Sequence, residues 1–244
     1  MHNNTPKIKD ATTPSPSVRP GKGLYSTLLN QVYKEKRDKL LHKLVNKQTI
    51  KPFMKYREIQ IVEEILTRLR PKVCVEWGSG YSTLYFSRFL SGDAKWIAVE
   101  HHGPWLERVK RLIDDKRIEL CLAPPERPDW EQRDKDGLGE DFASYLALPA
   151  RYKDVDFILV DGRARKDALI KANEYIGDRG VVVLHDANRP IYRQPLSLYK
   201  HQALFTDRRT NGGGIWVGSN SGFDLDKVLD VALHKRVWRL YNIF

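Results

Sequence analysis

Along the chain, short apolar runs alternate with stretches in which apolar residues recur every three or four positions. After Pro71 the alternation is regular. Residues 73–75, 96–99, 118–122, 157–160 and 181–184 are brief runs rich in branched residues, the pattern of strands buried on both faces. Between them, residues 82–90, 105–114, 142–148 and 165–176 read as helices, the last stopping near Gly177. Residues 124–140, rich in Pro, Asp, Glu and Arg, read as a long loop. Strand alternating with helix predicts right-handed crossovers and an α/β fold with a doubly wound, mostly parallel sheet. The end of the chain departs from this. Residues 203–206 and 215–217 flank Asn211-Gly212-Gly213-Gly214, which predicts an antiparallel pair closing a seven-stranded sheet. A basic amphipathic helix is predicted over 224–241.

Upstream of Pro71 the pattern is helical only. Leu28, Leu29 and Val32, then Leu40, Leu41, Leu44 and Val45, predict an amphipathic helix over 24–47 with a lysine-rich outer face. Ile59, Ile61, Val62, Ile65, Leu66 and Leu69 predict a second helix, stopped by Pro71. Residues 1–23, polar and basic with four prolines, read as a disordered arm. The expected organisation is an arm over 1–23, a helical extension over 24–70 and the main domain over 71–244.

Composition narrows the class. With 41% hydrophobic residues among 244, wholesale disorder is excluded. The longest strand-like apolar runs, 157–160 and 181–184, are four residues each, far below the roughly 18 of a membrane span. No signal-peptide pattern is visible at the start, and Cys74 and Cys121 have no metal-ligand spacing, so a cytoplasmic protein without a disulfide framework is expected. The net charge of +11 is uneven. Residues 1–70 hold 15 Lys/Arg against 6 Asp/Glu, which leaves the rest nearly neutral. The excess therefore belongs to the N-terminal helices, as a peripheral contact with a membrane surface or an acidic polymer, a lid or a homodimer contact. Nucleic acid is the weaker reading, because the main domain carries little of the charge.

The sharpest chemical signal is Val73-Cys-Val-Glu76-Trp-Gly78-Ser79-Gly80-Tyr81-Ser82-Thr83. A strand runs into a Gly-x-Gly turn and then a helix, where a ligand can approach backbone closely. A dinucleotide site would place a third glycine at Thr83, and Glu76 would repel a pyrophosphate. A ligand with a positive centre and no phosphate fits better.

The segment resembles the first motif of class I S-adenosylmethionine-dependent methyltransferases, an acidic residue followed by x-Gly-x-Gly. The resemblance implies a Rossmann-like methyltransferase sheet and S-adenosylmethionine as cofactor. Glu76 would face the methionine amino group, and the turn through Gly78, Ser79, Gly80, Tyr81 and Ser82 would hold its carboxylate and ribose. Glu100, 20 residues after Gly80 at the end of the second predicted strand, would accept the ribose hydroxyls, with His101 and Asp161 beside the cofactor.

Two later strands also end in polar residues: Asp161-Gly162-Arg163-Ala164-Arg165 and His185-Asp186-Ala187-Asn188-Arg189. Methyl transfer to a hydroxyl needs alignment and a proton acceptor. His185 is the expected base by its ordinary pKa, with Asp186 and Asp161 as alternatives. Arg163, Arg165 and Arg189, with Tyr192, would bind an anionic acceptor. The stretch His185–Arg189, with Tyr192, resembles the plant glucuronoxylan 4-O-methyltransferase family, which implies a sugar or glycan acceptor, uronic-acid-like. Asp161, Asp186 and Asn188 are also similar to the acidic set of metal-dependent O-methyltransferases that resemble catechol methyltransferase. Ala187 splits the expected Asp-Asn pair, so Mg²⁺ is the less favoured expectation. The remaining alternatives are a small-molecule or RNA methyltransferase, or a binding protein that keeps the fold.

Overall fold

The computed structural model describes residues 23–45, 51–207, 212–220 and 222–242, so the expected arm lies almost wholly outside the described residues. Seven strands form one sheet: β1 (Val73–Trp77), β2 (Lys95–Glu100), β3 (Ile118–Leu122), β4 (Val155–Val160), β5 (Ile176–His185), β6 (His201–Phe205) and β7 (Ile215–Ser219). Their order is β3-β2-β1-β4-β5-β7-β6. Strands β1 to β5 pair in parallel, whereas β7 runs antiparallel to both β5 and β6. The expected antiparallel pair is therefore present, with β7 inserted between β5 and β6.

The central runs of the strands are apolar because both faces of the sheet are covered there. Alternate residues enter two separate cores, as a period of two requires. Cys74, Trp96, Phe157, Leu159, Val181 and Val183 point into one, with Ile59, Val62 and Leu66 of α2 (Tyr56–Leu69) and Trp238 of the C-terminal helix. Val75, Trp77, Ile97, Val99, Ile158 and Val160 point into the other, under a helix over Arg165–Tyr175. Helix α2 is thus part of the sheet's own core and not an appendage ending at residue 70.

Helix α1 (Leu24–Val45) forms where expected with Lys36 and Arg37 outward, but apolar side chains share that outer face. Thr27 and Gln31 are buried, while Leu29, Tyr33 and Leu40 face outward. Polar contacts decide this: Gln31 donates to Gln60, and Tyr56 donates to Asp38, so α2 holds α1 by its polar side.

The chain after Pro71 adds α3 (Tyr81–Phe86), α4 (Gly103–Lys110), α5 (Trp130–Arg133), α6 (Ala143–Ala147), α7 (Arg165–Tyr175), α8 (Arg193–Leu196) and α9 (Val231–Tyr241). The 124–140 stretch is not a plain loop. It contains α5, and Trp130 packs edge-on against Phe142 at 5.0 Å. Strand β5 starts at Ile176, earlier than its apolar run, because ladder bonds need no apolar side chain. Asp178 and Arg179 are exposed there, and the register slips between Val155 and Phe157 on β4. The helix expected over 224–241 is shorter. Asp230 caps α9 by accepting from Leu233 N–H at 2.9 Å.

Candidate active site

All the polar strand ends meet at the carboxyl edge of the parallel strands, where ligands of doubly wound sheets bind. The turn after β1 is built tightly. Gly78 has φ +95°, and a side chain there would lie 2.8 Å from the Cα of Gly162. Gly162 in turn has no room for a Cβ, which would sit 2.0 Å from the Tyr145 hydroxyl. The turns after β1 and β4 therefore pack backbone against backbone. Gly80 is different. Its backbone is extended, and a Cβ would meet only the Trp105 ring, at 3.7 Å. The protein's own packing therefore tolerates a Cβ at Gly80, itself buried, and the space beside it is bounded by the Trp105 ring.

Glu76 does not face this space. It is fully buried and accepts hydrogen bonds from Thr83 Oγ1 at 2.6 Å and Trp96 Nε1 at 2.8 Å, and from Ser82 Oγ. Burial outweighs these donors and pushes its pKa up to about 8. Enclosed beneath the turn, this carboxyl supports the loop from inside and does not point to where an amino group was expected to meet it. Ser82 has the same internal function. Helix α3 is only six residues long, and the Gly80 N–H is taken by Thr83 Oγ1 at 3.0 Å, so the expected free helix terminus is partly occupied.

Glu100 ends β2 as expected and is nearly buried. It accepts from Ser79 N–H and Ser79 Oγ at 3.0 Å each, and from the His101 and His102 N–H groups at 2.9 Å. Burial opposes its charge, but His101, at 2.9 Å, and these donors hold its pKa below the usual carboxylate range. Glu100 thus ties the β2 end to the glycine turn. Trp105 Nε1 donates to the Ser79 carbonyl at 2.8 Å, and Tyr81 stands edge-on between Trp105 and Phe53, at 6.5 and 5.5 Å. His101 is boxed by Trp130, Phe142 and Tyr145.

At the ends of β4 and β5, His185 Nδ1 lies 2.8 Å from Asp161 Oδ1 and Nε2 lies 3.6 Å from Glu58 Oε2 of α2. Burial alone would lower the imidazole pKa, but the two carboxylates outweigh it and hold it up to about 10. His185 is therefore an imidazolium at neutral pH and does not serve as the base. Its pKa is raised on folding, so its stabilising contribution is complete below about 6.5. That contribution is lost as the pH climbs through about 10. An NMR titration of His185 is expected to show a midpoint well above 8. A midpoint near the ordinary histidine value would contradict the assignment.

The arginines are used inward. Arg165 donates to the Gly162 carbonyl at 2.9 Å and the His185 carbonyl at 3.0 Å, and lies 3.3 Å from both Asp161 and Asp186 carboxylates. Arg189 approaches Asp136 at 3.4 Å and Asp186 at 3.5 Å. Tyr192 is fully buried and donates to Asp136 at 3.0 Å. Arg165 and Tyr192 therefore fix the loops together, and Arg189, still partly exposed, leans on the same carboxylates. Arg163 remains half-exposed, with its guanidinium 5.1 Å over the Trp130 ring. Asp186 adopts φ +58°, held by the Gly213 N–H at 2.6 Å, and burial is overcome by His185, Gly213 and Arg165 so that its pKa is lowered.

The three residues considered for Mg²⁺ are each engaged by other partners. Asp161 is paired with His185, Asp186 with Arg165, and Asn188 bonds the Asp207 backbone through both its amide nitrogen and its oxygen, at 3.1 Å each. Among the described residues no group of three or more His, Cys, Asp or Glu side chains is placed to hold a metal ion. This donor set does not fit the group.

Sequence reasoning missed Glu58, Asp136 and Phe53. Glu58 reads as the third residue of a helix, and it does accept from Lys55 N–H at 2.7 Å. It also accepts from Gly214 N–H at 3.1 Å, joining α2 to the β6–β7 hairpin. A glutamate on the apolar side of an amphipathic helix was the available signal. Asp136 lay in the supposed loop, and Phe53 stood alone after Pro52.

With the geometry in view, the fold can be compared with solved structures. An O-methyltransferase from Bacillus cereus in complex with SAH gives a TM-score of 0.51 at 14% identity, over 82% of this chain and 91% of that one. A methyltransferase-like protein from Silicibacter pomeroyi gives 0.53 at 17%, over 77% and 98%. The O-methyltransferase TomG from Streptomyces achromogenes, involved in tomaymycin synthesis and in complex with SAM, gives 0.50 at 14%, over 84% and 92%. At these identities the similarity is one of fold, and the chain has the Rossmann-like methyltransferase fold. No protein-family model matches the chain, and no curated protein matches its sequence.

Proposed function

We propose that the protein is an S-adenosylmethionine-dependent O-methyltransferase. The observation that carries the reading is the glycine turn: Gly78 and Gly162 are glycines because the protein's own backbone demands it, whereas Gly80 has ordinary space around it. A glycine that packing does not require, beside Ser79, Tyr81, Trp105 and Glu100, fits a bound ligand. The solved structures of this fold in complex with SAH and SAM support the same ligand. Bound there, S-adenosylmethionine would supply an electrophilic methyl group for in-line transfer.

The chain's own residues would position the acceptor hydroxyl and hold its proton. Asp161, partly exposed beside His185, is the carboxylate for that proton, and its charge is shared with His185 and Arg165. The nearby imidazolium would stabilise the oxyanion formed from a hydroxyl that ionises readily. That observation favours a phenol-like small molecule, whereas Arg163 alone supports the uronic-acid-like sugar acceptor. Incubation of the protein with S-adenosylmethionine and a panel of phenols, uronic acid oligosaccharides and neutral sugars tests this. The expected result is an O-methyl ether on a phenol or uronic acid. Methylation of nitrogen or carbon, and not of oxygen, would contradict it.

A further inference from the structure

We propose that the protein docks peripherally on an anionic membrane surface through the outward face of α1. The starting observation is that apolar side chains share the outer face of this helix with its cations. At 3.6 residues per turn, positions 29, 33 and 40 fall within about 40° of arc. Their side chains are 66%, 63% and 55% exposed, so the apolar stripe faces solvent. Gln31 and Asp38 on the opposite side are held by α2, and Thr27 there is buried, so the helix does not turn over to hide the stripe.

Charge identifies the occupant. Exposed Lys36 and Arg37 lie beside the stripe, and α1 carries five Lys/Arg against two acids. Its packing neighbour α9 presents exposed Lys235, Arg236 and Arg239, with no acid between Val231 and Tyr241. Apolar residues flanked by cations suit contact with the headgroups of an anionic bilayer. A second copy is a poor occupant. An isologous pair would set two like-charged segments against each other. Three side chains also fall well short of the roughly 800 Å² per partner of a stable interface. None of the described helices is long and apolar enough to cross a membrane, so the contact is with the surface.

The test is co-sedimentation of the full chain with vesicles of phosphatidylcholine alone or of equal parts phosphatidylcholine and phosphatidylglycerol. The protein is expected to bind the anionic vesicles only, less so as salt rises. A Leu29→Ser/Tyr33→Ser/Leu40→Ser variant is expected to bind at least tenfold more weakly with an unchanged urea midpoint, because these side chains are exposed. If its midpoint does fall, the single Leu29→Ser and Tyr33→Ser variants give the same readout. Absence of binding to anionic vesicles, or equal binding by the variants, overturns the proposal. So does self-association that the same substitutions abolish, with no vesicle binding by the wild type.

Discussion

Replacing Arg165 with alanine is expected to destabilise the protein by about 3–5 kcal/mol, the usual cost of breaking a buried ion pair by removing one partner. The guanidinium is largely buried and lies 3.3 Å from both Asp161 and Asp186, two carboxylates at the ends of adjacent strands. It also satisfies the carbonyls of Gly162 and His185. Alanine removes all four contacts and leaves two carboxylates facing one another across β4 and β5. Lysine should restore only part of the loss, since one ammonium does not reproduce the planar fork of donors. Urea denaturation followed by tryptophan fluorescence measures the effect. A loss below about 1 kcal/mol would mean that the network is screened as a surface pair is.

The second large effect is expected at Gly162. An alanine methyl would lie 2.0 Å from the Tyr145 hydroxyl and 2.9 Å from the backbone nitrogen of Gly78. Tyr145 is fully buried, and the Gly78 turn is fixed by its N–H bond to the Val99 carbonyl at 2.8 Å, so neither can yield cheaply. Gly162→Ala should cost about 3 kcal/mol, near the upper end for overpacking. It should also displace the glycine turn and abolish cofactor binding. A stable variant with unchanged binding would show that the two turns are not coupled.

How much of this was legible in the sequence follows from the kind of signal. The strands were, because residues such as Val181, Val182 and Val183 are buried on both faces and must be apolar throughout. Their polar ends were legible too, since Asp161, His185 and Asp186 follow apolar runs abruptly. The direction of each side chain was not. Glu76 and Glu100 have the expected places on the strands but turn into the protein, because neighbouring N–H and O–H donors are close enough to satisfy them. The arginines looked available because their carboxylate partners lie up to 53 residues away, as Asp136 does from Arg189. His185 as a base failed for the same reason. Its second carboxylate, Glu58, belongs to a helix that sequence spacing had set outside the main domain. The outward placing of Lys36 and Arg37 on α1 was legible, but that of Leu29, Tyr33 and Leu40 was not, because periodicity locates a face without saying which side the rest of the protein holds.

The central claim is that the Gly80 face of the turn receives S-adenosylmethionine. Calorimetric titration of S-adenosylhomocysteine into the wild type and into Gly80→Ala, with urea midpoints for both, tests it most directly. An added Cβ at Gly80 makes only an ordinary contact with Trp105 and demands no unusual backbone angle. The account predicts micromolar binding to the wild type, binding at least tenfold weaker to the variant, and midpoints that agree. No binding by the folded wild type, or equal binding by the variant, would contradict it.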